Sequence, residues 1–169
     1  MLDNKNMHLS LIRADIIEGI LTKTECIEYL NEYFRELKVV TDIEKMDITF
    51  ELFYSCIKDS KDPIKFTEEY IKYIEDTFKC ILVDKNAHWG AFCSNFLFKY
   101  MTIIEKIDVM LENKYNALTN LDYKNIPNSV VKKMFLNTYL NVLIGLSPNH
   151  LKEMKEVSKN LRKCLKEND

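Results

Sequence analysis

Three glycines and three prolines in 169 residues leave this chain few places to turn sharply. β-Rich folds need both residues at hairpins and bulges, and helix interiors exclude both, so their scarcity directs the chain to an all-α fold. Apolar residues recur at helical rather than alternating spacing along nearly the whole length. A chain of this size is expected to form one domain over residues 1–169, and its 47% hydrophobic content suffices for a core.

The periodicity predicts a bundle of about seven or eight helices. Leu9, Ile12, Ile16, Ile17 and Ile20 mark the first, over about 8–21. Gly19 and Thr22-Lys23-Thr24 mark its end, with Thr24 as N-cap of a second over about 25–39. The third starts at Thr41-Asp42 or at Asp47 and runs to about Asp59. Asp62-Pro63 reads as an N-cap followed by proline at the first helical position, opening a fourth to about residue 82, either one helix or two short ones. The fifth begins near His88 and ends near Ile104, or continues through Ile107, Met110 and Leu111 to Leu118. Residues 124–128 read as a loop, 129–146 as an apolar helix, and Ser147-Pro148 as the start of the last. Residues 91–104 and 130–146 are apolar around much of their circumference, which places one or both at the centre, as a hydrophobic helix or hairpin.

The formal net charge is −2 with both signs interspersed, which argues against a nucleic-acid binder. Cys26, Cys56, Cys80, Cys93 and Cys164 are odd in number, lack CxxC spacing and sit among apolar neighbours. They read as reduced thiols packed as small hydrophobes. With the polar opening 1–6, which has no signal-peptide pattern, they point to a reducing intracellular compartment. No apolar run reaches the roughly 18 residues a membrane span needs. The longest candidate, 91–104, is interrupted by Ser94, Asn95 and Lys99, so no transmembrane tail is expected.

Catalytic patterns are missing. His8, His88 and His150 are scattered, and Glu68, Glu69, Glu75 and Asp76 read as a solvated helix face. A nucleophilic pair of His88 with Cys80 or Cys93 needs a partly exposed thiol, whereas Cys93 lies in an apolar helix. The expectation is a non-enzyme with no cofactor, no metal and no small-molecule substrate. Aromatic residues carry more information. Phe50, Phe53, Tyr54, Phe66, Tyr70, Tyr73, Phe78, Trp89, Phe92 and Phe96 crowd one stretch, and they suit either a core or a groove for an amphipathic helix. Trp89 followed by Gly90 pairs a large rigid surface with a bare backbone that a partner could approach.

Asp84, then His88-Trp89-Gly90-Ala91, then Phe92, Phe96 and Phe98 follow the order of a BH1 motif, an Asp shortly before Asn-Trp-Gly-Arg and an aromatic helix. In this, and in its helical layout, the chain resembles the Bcl-2 family, in particular its divergent viral, poxvirus-type members. The resemblance implies an apoptosis inhibitor acting by host–virus interaction. Its hydrophobic groove would lie between helices 44–59, 65–82 and 89–104 and would bind BH3 helices of host proteins such as Bim, Bax or Bak. The implied groove residues are Phe50, Phe53, Tyr54, Ile57, Phe66, Tyr70, Tyr73, Ile74, Phe78, Leu82, Lys85, Trp89, Gly90 and Phe96. The implied location is the host cytoplasm, with or without attachment to mitochondria, and a homodimer is left open. The chain departs from the motif in having His88 for Asn, one extra residue between Asp84 and Trp89, and Ala91 for the Arg that pairs with a BH3 Asp. Lys85 is the expected substitute cation. A Trp-bearing BH2 motif is missing near 128–142. The alternative that the resemblance implies is a filled-groove protein of the same fold that blocks innate signalling toward NF-κB without binding BH3 helices.

Overall fold

The computed structural model describes residues 4–23, 25–37, 40–80, 89–127 and 129–167, with backbone alone at 54, 89–94, 96 and 100. The described residues form seven α-helices and one 3-10 turn, with no strand. The helices are α1 (Asn4–Leu21), α2 (Cys26–Glu36), α3 (Asp42–Ile57), α4 (Pro63–Phe78), α5 (Trp89–Thr119), α6 (Ser129–Gly145) and α7 (Leu151–Glu167). The turn, Tyr123–Asn125, precedes α6.

Local chemistry sets several boundaries. α3 begins at the earlier of its two expected starts because Thr41 and Glu44 form a reciprocal capping box. Asp62 accepts a hydrogen bond from the Lys65 amide, and Pro63 opens α4, which is one helix ending at Lys79 in the left-handed conformation. α5 takes the longer course and runs unbroken to Thr119. One expectation is corrected. Ser147-Pro148 does not open the last helix; its peptide bond is cis, and α7 starts at Leu151 after His150, whose φ is 62°. α1 ends at Leu21, as expected, with Gly19 inside its last turn. A side chain at Gly19 would overlap the Tyr29 ring of α2, so the bare backbone lets the two helices approach. The expected cap Thr24 lies outside the described residues.

The core centres on α6. Leu136, Leu140 and Leu143 have no exposed surface, and Tyr139, Val142 and Ile144 are nearly as buried. α1, α3, α5 and α7 all pack against α6. α1 adds Met7, Leu11, Ala14, Ile16, Ile17 and Ile20, and α7 adds Met154, Val157, Leu161 and Leu165. Polar ties link the same helices, with Arg162 paired to Asp15 at 2.5 Å and Lys155 to Glu18 at 3.5 Å. Residues 130–146 therefore take the expected central place. Residues 91–104 do not, as far as their side chains are described: Phe98 is 76% exposed and Met101 and Ile103 are exposed, leaving Ile104 as the buried contact and Leu97 as a half-buried one. α5 meets the body through a row at Ile104, Asp108, Leu111, Tyr115 and Leu118, spaced four and three residues apart, while the positions around it face outward. Leu140→Ala should cost about 2–5 kcal/mol of stability, read as a lower urea midpoint with an unchanged slope.

A carboxylate ties three helices together. Tyr115 of α5 donates to Glu153 Oε1 at 2.5 Å, and Tyr139 of α6 donates to Oε2 at 2.7 Å. His150 Nδ1 lies 3.3 Å from the same Oε1, and its ring packs on Tyr115 with centroids 4.2 Å apart. Burial pushes the Glu153 carboxyl up, but the two hydroxyls and His150 together outweigh it and hold the group below its ordinary value. Burial and the same carboxylate push the Tyr115 phenol up to about 12. The carboxylate's contribution is therefore present above the ordinary carboxylate range and is lost as pH falls through the lowered value. The phenol's contribution is present below the ordinary tyrosine value and is lost as pH rises toward about 12. Glu153→Gln should lower stability by about 1 kcal/mol at neutral pH, because the site is partly solvated. In thermal melts, that deficit should disappear on acidification through the carboxylate range.

Candidate functional site

The aromatic stretch that the sequence singles out folds inward at the α3–α4 contact. Phe53 is 1% exposed and stacks on Phe66 and on Tyr70, with centroids 5.8 and 4.6 Å apart. Phe50 meets Tyr70 edge-on at 6.4 Å. Ile57, Tyr73 and Ile74 are buried in the same core, and Phe66 and Phe78 pack against it half-buried. Spacing explains the arrangement. Phe50, Phe53 and Ile57 on α3 and Phe66, Tyr70, Tyr73 and Ile74 on α4 recur every three or four residues, so each helix presents one aromatic face and the two faces close on each other. Burial pushes the Tyr73 phenol up to about 12, partly offset by the Thr77 hydroxyl. A ligand helix reaches Phe53 or Tyr70 only if α3 and α4 part. Of the remaining expected groove residues, Leu82 and Lys85 lie outside the described residues. Trp89, Gly90 and Phe96 fall in the first turns of α5, and Tyr54 in α3, at positions where the backbone alone is described.

A concave site lies on the other side of α3. Glu51 and Ser55 of α3 and Lys58 at its C-cap, Ile104, Ile107 and Asp108 of α5, and Asn141, Ile144 and Gly145 of α6 line a cavity of about 290 Å³. Its walls are isoleucine and its rim is charged. Lys58 Nζ sits 2.8 Å from Asp108 Oδ1 and donates to the Gly145 carbonyl at 3.1 Å, joining all three helices through one ammonium group. The carbonyl accepts there because Gly145 is the last residue of α6, where no following turn uses it. At the other end, Glu51 Oε2 is shielded from solvent and faces Arg13 Nε of α1 at 2.9 Å. Burial pushes the Glu51 carboxyl up, Arg13 pulls it back, and Asp47 adds to the rise. Ser10 extends the polar line, its hydroxyl 3.1 Å from Asn141 Oδ1.

The cavity opens beside an apolar row on α5. Ile103, Ile107 and Met110 follow i, i+4, i+7 spacing and are 38%, 37% and 49% exposed, and Ile107 belongs to both row and cavity. Phe98 and Val109 lie on another side of the same helix and are more exposed still. None of Lys58, Asp108 and Ile107 stands out in the sequence, because a lysine, an aspartate and an isoleucine in amphipathic helices are ordinary residues. The legible signal is an excess. Between residues 97 and 111, α5 carries more apolar positions than one contact row can bury. Among the described residues no group of three or more histidine, cysteine or carboxylate side chains is placed to hold a metal, and no helix is long and apolar enough to cross a membrane. Comparison with protein-family models, curated proteins and solved structures gives no match for this chain.

The charged rim makes a measurable claim. Lys58 keeps only 17% of its side-chain surface, so its link to Asp108 is partly desolvated and less screened than a surface pair. A double-mutant cycle on Lys58→Met and Asp108→Asn should give a coupling of about 1–2 kcal/mol in urea unfolding. The exposed Lys124–Glu156 pair, at 3.7 Å, should give about 0.5 kcal/mol or less.

Proposed function

We propose that this chain is a binding protein that holds an amphipathic helix of a partner along the exposed apolar side of α5. Following the resemblance of its Trp89-Gly90 segment to a BH1 motif, the partner is the BH3 helix of a host pro-apoptotic protein, and the fold is of the Bcl-2 kind. The observation that carries the reading is the row Ile103, Ile107 and Met110 beside the isoleucine-walled cavity. A partner helix has apolar side chains at the same i, i+4, i+7 spacing, so it can lie along the row and seat one anchor in the cavity. An acid on that helix has a cation within the site in Lys58, for which it competes with Asp108. This supplies a charge partner that Ala91, in place of the motif's arginine, does not. The mechanism is occupancy, since a sequestered BH3 helix cannot trigger pore formation.

One observation favours the second reading, a filled-groove protein that blocks innate signalling through surface contacts. The aromatic side chains expected to line a groove are packed against each other at the α3–α4 contact. Titration with a panel of BH3 peptides separates the two. Under the first reading at least one peptide binds at micromolar Kd or tighter, and Ile107→Asp and Met110→Asp each weaken it at least tenfold, about 1.4 kcal/mol, with circular dichroism unchanged. No binding by any peptide, or binding indifferent to both substitutions, rejects capture on α5.

A further inference from the structure

Two cysteines thirty residues apart in sequence meet in space. Cys26 is the first residue of α2, Cys56 is the penultimate residue of α3, and their sulfurs lie 4.0 Å apart. Both side chains are half-buried, so a small oxidant can reach them. We propose that Cys26 and Cys56 form a peroxide-sensitive thiol pair whose oxidation converts the contact between α2 and α3 into a covalent cross-link.

The surroundings divide the roles between the two sulfurs. Cys26 is the first residue of α2, where the positive end of the helix dipole favours a thiolate. The Cys56 thiol can donate to that sulfur, and this hydrogen bond holds Cys26 below its usual value against the opposing effect of burial. The same bond, together with burial, pushes Cys56 up, so Cys56 keeps its proton. Cys26 is the nucleophile and Cys56 the resolving thiol. The other thiols with described surroundings are placed differently. Cys80 Sγ points to the Ile74 carbonyl at 3.7 Å, and Cys164 is buried on α7.

The oxidant is hydrogen peroxide. The Cys26 thiolate attacks one peroxide oxygen, the O–O bond breaks, and hydroxide leaves, giving a sulfenic acid. The Cys56 sulfur then attacks the Cys26 sulfur, the S–O bond breaks, and the sulfenic oxygen leaves as water. In total the two thiols lose two protons and two electrons, and peroxide is reduced to two waters. A disulfide needs sulfurs about 2.05 Å apart, so the pair must close by about 2 Å from its resting separation. The product ties α2, which packs on α1, to the helix that carries the aromatic cluster and one wall of the cavity.

The test exposes the intact reduced protein to hydrogen peroxide for increasing times, quenches with an alkylating agent and maps peptides without reduction. The first product should be an intramolecular Cys26–Cys56 peptide pair lighter by two hydrogens, reversed by dithiothreitol, with Cys80 and Cys164 still alkylated. Cys56→Ser should let Cys26 sulfenic acid accumulate and react with dimedone, and Cys26→Ser should remove the fast phase. Should either variant misfold, the wild-type map alone still decides. A first cross-link through any other cysteine, oxidation of Cys80 or Cys164 at the same rate, or passage of Cys26 to sulfinic acid without a cross-link overturns the assignment.

Discussion

Withdrawal of α6 from water is the constraint on which the rest of the molecule depends. Leu136, Leu140 and Leu143 repeat at four and three residues, so they lie along one side of the helix, and all three have lost their exposed surface. Each fully buried leucine contributes about 1.5–3 kcal/mol, an upper estimate because the unfolded chain is itself partly collapsed. That gain is realised only when α1, α5 and α7 are in place, since each covers part of α6. The cavity inherits its shape from this arrangement. Asn141, Ile144 and Gly145 form its floor because they are the last turn of the helix against which α1, α3, α5 and α7 pack. A binding surface built on such a base is held by the core rather than by a loop.

Two apolar surfaces of similar composition meet opposite fates. The aromatic rings of α3 and α4 find each other across one contact and leave solvent together. The apolar residues of α5 outnumber the partners that the body offers, and part of them stays wet. Scattered exposed hydrophobic residues are common on folded proteins, but a row at helical spacing next to a cavity is not a scatter. The difference is geometric. α3 and α4 are short and face each other, whereas α5 spans 31 residues, about 45 Å, and lies against α4 and the 17-residue α6. Length without matching neighbours leaves surface for something else to cover.

The all-α class was readable because scarce glycine and proline and a 3.6-residue apolar period point the same way. The caps at Thr41 and Asp62 were readable because their chemistry is local. What could not be read was which apolar stripe meets which. Residues 91–104 and 130–146 look equally central as strings, and among the described side chains the second forms the hub, since that choice depends on how six other helices share a limited interior. The aromatic stretch carried the same ambiguity between core and groove, and the interior claimed the side chains of Phe53, Tyr70 and Tyr73. Lys58 meeting Asp108, and Cys26 meeting Cys56, were illegible for a simpler reason. Contacts between residues 50 and 30 positions apart leave no local trace.

The empty space at position 19 reaches beyond its own helix. Tyr29 occupies the volume that any larger residue there would claim, so the two positions are one packing decision written at two places in the chain. Drift at either one is then conditional on the other. A methyl group gained on α1 requires the ring on α2 to swing aside or to be trimmed. Bulk at both sites then shows itself as a turned ring at position 29 or a wider gap between the two helices.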